Sequence, residues 1–179
     1  MAIESIAGLP ALERLNIIGH GPKGAALASL AKASNLRSLT LRIPELNDSL
    51  IPTINQLQRL DSLDLKGTSI SDRGLSKLRA FPSLRNLNLS GTRISRSNFG
   101  AIGALHALET LDLSYTDVVD EAARALAPLQ RLRVLNLRRT LVTSEIIPSL
   151  DALASLEALA ISDTASAAAE PIPRDSGFR

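Results

Sequence analysis

The amino-acid sequence predicts an α/β fold: a right-handed solenoid with a concave parallel sheet of about seven strands and short helices on the convex side. Three observations predict it. A 24-residue unit begins at Leu12 and again at Leu36, Leu60, Leu84, Leu108, Leu132 and Leu156, with no insertion or deletion between copies. Fixed self-similarity of this length marks stacked coils and decides the architecture ahead of local propensity. Each copy opens on alternating leucines and closes on apolar residues three apart, so a strand and a short helix alternate. The 179 residues are 45% hydrophobic and only 2% aromatic, enough for one core built almost wholly of Leu, Ile and Ala.

The elements follow in order. Residues 1–11 read as an N-terminal half-repeat, because Ile3, Ile6 and Leu9 hold the places of Leu75, Leu78 and Phe81 in a complete copy. Pro10, like Pro82 at the same repeat position, stops the helix: proline lacks an N–H and disfavours helix in the residue before it. In the first strand, LERLNII, Leu15 and Ile17 point inward while Arg14, Asn16 and Ile18 point outward. Later strand cores fall near 38–42, 62–66, 86–90, 110–114, 134–138 and 158–162, with inward pairs from Leu39/Leu41 to Leu159/Ile161.

A corner residue follows each strand: His20, Pro44, Thr68, Thr92, Thr116, Thr140 and Thr164. A threonine hydroxyl there can pair the turn's backbone groups inside the coil, and His20 stands in for the threonine. Ile70, Ile94, Val118 and Val142 are buried next, and Asp72 and Asp120 suit helix starts. The apolar triplets Ile51/Ile54/Leu57, Leu75/Leu78/Phe81, Phe99/Ile102/Leu105, Ala123/Leu126/Leu129 and Ile147/Leu150/Leu153 predict short, partly 3₁₀ helices. Pro52 and Pro148 fall in opening turns, where a missing N–H is harmless. The repeats occupy 12–164, six full and one truncated, and 165–179 reads as a flexible tail without a cap.

The pattern L-x-x-L-x-L-x-x-T-x-I, as in Leu60–Ile70, resembles the leucine-rich repeat family over nearly everything from Ile3 to Thr164. That family more often places asparagine at the corner, so this chain looks like a 24-residue threonine variant. The resemblance implies a module that recognises a protein partner. Asp120-Glu121-Ala122-Ala123-Arg124-Ala125-Leu126-Ala127 is similar to the D-x-G-A-x-x-L-A repeats of effectors from plant-associated bacteria, with Ala122 in place of the glycine. Those effectors join their repeats to an F-box, which is not visible here. The resemblance therefore implies, as alternatives, a bacterial effector or the substrate-reading part of a ubiquitin ligase.

Composition narrows the chemistry. The charge of +2, from 20 basic and 18 acidic residues, is not a nucleic-acid footprint. Cysteine is absent, so no disulfide framework is expected. No basic segment followed by an apolar run opens the chain, and no stretch has the length of a membrane span. The expectation is a cytoplasmic protein, or one delivered to a host cell without a cleavable signal peptide.

Gly19-His20-Gly21-Pro22-Lys23-Gly24 matches G-x-G-x-x-G between a strand and a helical stretch, with Glu45 where a ribose-binding acid would stand. A nucleotide-binding enzyme is the remote alternative. Gly67 and Gly91 recur in the place of Gly19, which favours an ordinary repeat corner. Asp64 and Asp112 lie two strands apart, about 10 Å, at or past the wide limit for a carboxylate pair at one glycosidic bond. His20 and His106 occupy different repeat positions, against a shared metal site. No catalytic group, cofactor, metal or small-molecule substrate is expected.

What remains is the outward face of the sheet. One column reads Asn16, Thr40, Asp64, Asn88, Asp112, Asn136, Ala160; the next reads Ile18, Arg42, Lys66, Ser90, Ser114, Arg138, Ser162; Tyr115 and Arg139 follow at its edge. Tyrosine and arginine often carry interface energy. The candidate protein-binding residues are therefore Arg42, Asp64, Lys66, Asn88, Asp112, Tyr115, Arg138 and Arg139, with no membrane or nucleic-acid partner.

Overall fold

The computed structural model describes residues 3–21, 25–78, 81–95, 99–162 and 164. Seven strands form one open sheet in sequence order: β1 (Arg14–Ile18), β2 (Ser38–Arg42), β3 (Ser62–Asp64), β4 (Asn86–Asn88), β5 (Thr110–Asp112), β6 (Val134–Asn136) and β7 (Ala158–Ala160). All neighbours are parallel, and Leu39 pairs with Leu63, Leu63 with Leu87, Leu87 with Leu111 and Leu111 with Leu135. The pairing offset equals the sequence period, so equivalent residues stack. The strand order never reverses, so the crevice of a doubly wound dinucleotide fold does not form.

Helical segments return the chain between strands: α1 (Ile3–Ala7), α2 (Ala25–Ala28), α3 (Ile51–Ile54), α4 (Asp72–Leu75), α5 (Gly100–Gly103), α6 (Asp120–Arg124) and α7 (Ile147–Leu150). Short 3₁₀ turns extend α2 and precede α3 and α7, in keeping with apolar residues three apart. Pro52 and Pro148 lie in the first turns of α3 and α7.

The core is one continuous cluster along the coil. Leu39, Leu41, Leu63, Leu65, Leu87, Leu89, Leu111, Leu113, Leu135 and Leu137 are buried, as are Ile70, Ile94, Val118 and Val142. Leu15, Ile17, Leu159 and Ile161 pack against the same cluster and are partly buried. The hydroxyls of Thr68, Thr92 and Thr140 donate to the carbonyls of Leu65, Leu89 and Leu137 at 2.8, 2.6 and 2.7 Å, and Thr116 bonds Leu113 in the same way. These four corner threonines are thus internal backbone partners.

Several expectations need correction. From β3 onward the regular strands are three residues long, not five. For β3 to β6 the reason lies in the outward column: in β3, Asp64 Oδ1 accepts the Lys66 N–H at 3.0 Å, diverting it from a further rung towards β2. His20 does not fill a corner; its side chain is 92% exposed, with Nδ1 3.2 Å from Glu45 Oε1. Ile147 is 42% exposed while Ile146 is fully buried, because the 3₁₀ turn before α7 rotates the preceding residue inward. Asp72 does not cap α4: Ser71 does, accepting the Arg73 N–H. The side chain of Ala123, the motif residues Pro22 to Gly24 and the tail 165–179 lie outside the described residues.

Asp72 has a different task. Its carboxylate reaches the next coil, where Oδ1 accepts the Ser95 N–H (2.9 Å) and Oδ2 the Ser95 hydroxyl (2.7 Å). Asp48 holds Ser71 and Asp120 holds Thr143 through the same two bonds. These clamps tie successive helical segments on the side of the coil opposite the sheet.

Candidate functional site

Between strand and corner the backbone must donate one more ladder bond and then turn sharply. In five coils this requires the left-handed region. Gly19, Gly67 and Gly91 meet it with φ of 93°, 69° and 65°, donating to the carbonyls of Arg42, Ser90 and Ser114. A Cβ at Gly67 would meet nothing within 4 Å, so the demand is conformational and not one of space. Tyr115 and Arg139 occupy the same repeat position with φ of 57° and 53°, donating to the carbonyls of Arg138 and Ser162. Residues with a Cβ are strained there by roughly 1–2 kcal/mol each.

The two strained residues are neighbours in the stack and interact. The Arg139 guanidinium carbon lies 5.5 Å from the centre of the Tyr115 ring, within cation–π range. Tyr115 is nevertheless 60% exposed. Leu141, two residues past Arg139 and just beyond the Thr140 corner, is 42% exposed. An aromatic, a guanidinium and an exposed leucine thus occur at the strand-exit edge of β5 and β6.

The remaining candidates divide by what holds them. Arg42 donates from Nε and Nη2 to Asp64 Oδ2 at 3.1 and 2.7 Å, and Asp64, by this hydrogen bond first and its charge second, holds the guanidinium above its ordinary pKa. Asn88, Asp112 and Asn136 repeat the turn of Asp64, accepting the N–H of Ser90, Ser114 and Arg138. That column is half-buried and serves its own backbone as well as facing outward. Lys66 and Arg138 are exposed in the next column, whereas Ser90 and Ser114 are buried there, not outward as the alternation suggests. The Ser114 hydroxyl bonds Asp112 Oδ1 at 2.7 Å and the Ser90 hydroxyl at 3.0 Å.

One feature of the face escaped the sequence reading although its signal is plain. The residue after each repeat-opening leucine alternates in sign: Glu13, Arg37, Asp61, Arg85, Glu109, Arg133, Glu157. In the fold these stack along the strand-entry edge, with Arg37–Asp61 at 3.3 Å, Arg85–Glu109 at 2.5 Å and Arg133–Glu157 at 2.8 Å. Arg37 also lies 3.9 Å from Glu13. The entry edge is therefore self-paired, unlike the exit edge that carries Tyr115. Among the described residues no group of three or more His, Asp and Glu is placed to hold a metal ion, and no helix is long and apolar enough to cross a membrane.

Comparison with known proteins agrees with this geometry. Residues 35–172 match the model of a leucine-rich repeat region. No curated protein matches the sequence. Among solved structures, an internalin of Listeria monocytogenes superposes with a TM-score of 0.70 at 22% identity, covering 90% of this chain and 45% of that one. Internalin C2 of the same organism gives 0.63 at 27% identity, covering 89% and 61%. The Arabidopsis receptor kinase HAESA, solved with the peptide hormone IDA and the co-receptor SERK1, gives 0.61 at 22% identity, covering 84% and 26%. The chain thus spans less than two thirds of each of these three.

Proposed function

The chain belongs to the leucine-rich repeat family, and from that premise we propose that it is a non-catalytic module recognising a protein partner through the outward face of its sheet. The observation that carries this reading is the pair Tyr115 and Arg139, kept in left-handed backbone where other coils use glycine. Glycine would serve the turn with less strain. Retaining strained, exposed side chains makes sense where those side chains meet something else. Tyr115 offers rigid, amphipathic area, and the arginines offer planar donors. HAESA, a structural neighbour, is bound to a peptide hormone, which supports a protein or peptide as the class of ligand. A narrower reading, a bacterial effector, draws support from the Asp120–Ala127 motif and from the likeness to internalin C2.

The test is affinity for a captured partner. The variant Tyr115→Gly keeps the turn and removes the ring, and should weaken binding by about 2 kcal/mol or more. Arg124→Ala, at an exposed position of α6, should leave binding unchanged. Equal loss from both variants, or loss from Arg124→Ala alone, would place the interface on the helical side and overturn the proposal.

A further inference from the structure

The outward face carries more positive charge than negative. Its three outward columns hold two acids, Asp64 and Asp112, against four cations, Arg14, Arg42, Lys66 and Arg138. Both oxygens of Asp64 are engaged, Oδ1 by the Lys66 N–H and Oδ2 by Arg42, so Arg42 and Asp64 neutralise each other. Asp112 is half-buried, with Oδ1 turned onto Ser114. Lys66 and Arg138 are exposed and enter no ion pair among the described residues. They share one column, and between them stand only Ser90 and Ser114, 1% and 4% exposed. The row therefore has a long cation at each end and short, sunken side chains between. Three strand spacings separate the cations, about 14 Å.

We propose that this row receives an extended acidic segment of the protein partner, lying along the solenoid axis with carboxylates at positions i and i+4. The inference rests on the reading of the face as a protein-binding surface. Four residues of extended chain rise about 13 Å, and period-two alternation puts i and i+4 on the same side. One carboxylate then meets Lys66 and the other Arg138. Residue i+2 faces the serine-lined stretch, where this chain raises no side chain against it. Tyr115, one residue past Ser114 at the exit edge, offers apolar area beside the segment. A nucleic-acid strand fits less well, because Asp64 and Asp112 flank the row and two unpaired cations release few counterions.

The experiment titrates the protein, at low salt, with short synthetic peptides carrying glutamates at i and i+4, glutamates at i and i+2, or lysines at i and i+4. Oligothymidylate is the fourth probe. The i, i+4 glutamate peptide should bind about fivefold more tightly than the other two peptides. The double variant Lys66→Ala with Arg138→Ala should erase that preference while circular dichroism stays unchanged. Equal binding of all peptides, or a preference for lysine, overturns the inference. Oligothymidylate binding more tightly than any peptide overturns it in favour of nucleic acid, and failure of every probe to bind overturns it as well. If binding proves indifferent to charge but is lost in Tyr115→Gly, this inference falls while the broader reading of the face stands. If the captured partner also ignores Tyr115→Gly, both fall.

Discussion

Two residue types show how a single position is constrained by its backbone. The Thr92 hydroxyl is buried and donates at 2.6 Å to the Leu89 carbonyl, which also accepts the Thr92 N–H at 3.3 Å. Thr92→Val keeps the shape and removes the donor, so it should cost about 1–3 kcal/mol in chemical denaturation. A midpoint unchanged from the parent would make the hydroxyl dispensable. Tyr115 should respond in the opposite sense. Truncating a packed aromatic normally destabilises, but Tyr115→Gly relieves left-handed strain at a mostly exposed position. Stability should hold or rise by up to about 1 kcal/mol while binding falls. A clear loss of stability would mean that Tyr115 is there for packing.

At the scale of elements, the coil is held from both sides. On the sheet side Leu113 is fully buried, and Leu113→Ala should cost about 2–5 kcal/mol, read as a lower denaturation midpoint. A parent-like midpoint would be incompatible with the strand phase described. On the helical side the clamp from Asp48 to Ser71 constrains a glycine in α4. A Cβ on Gly74 would fall 2.2 Å from Asp48 Oδ1, so Gly74→Ala must displace that carboxylate and free the Ser71 N–H and hydroxyl. Gly74→Ala and Asp48→Ala should each cost about 1–3 kcal/mol. Because both break one clamp, the double variant should cost little more than either alone. Additive losses would show that Gly74 serves some other contact.

Over the whole molecule, repeats touch only their neighbours, and the alternating charges at the strand-entry edge make neighbouring coils complementary. Arg85→Glu would set three acids in succession, beside Asp61 and Glu109. Arg85 is exposed and the two acids are only partly buried, so solvent limits the effect to about 1 kcal/mol at low salt. Molar salt should erase most of it. A loss independent of salt, measured by thermal melts at two ionic strengths, would rule out an electrostatic origin. Away from that edge, Lys66 and Arg138 are exposed and in no ion pair among the described residues, with the strained Tyr115 near Arg138.

The sequence by itself determined the period, the sheet, the inward leucines and the corner threonines, because a repeat states each requirement several times over. Leu63, Leu87 and Leu111 are buried as their spacing predicts, since a one-residue slip would turn all of them to solvent together. It also put Tyr115, Arg138 and Arg139 close together after the strands, without deciding what they meet. Tertiary structure alone decided what each side chain does with its neighbour. That Asp64 closes its own turn, that Asp72 reaches the next coil, that Ser90 and Ser114 sink, and that Ile146 replaces Ile147 in the core all depend on contacts across coils or on a local 3₁₀ rotation. A polar letter at an outward position gives the chemistry available there. Whether that chemistry is spent inside the fold or left for a partner depends on how near the next coil lies, and only the stacked structure fixes that distance.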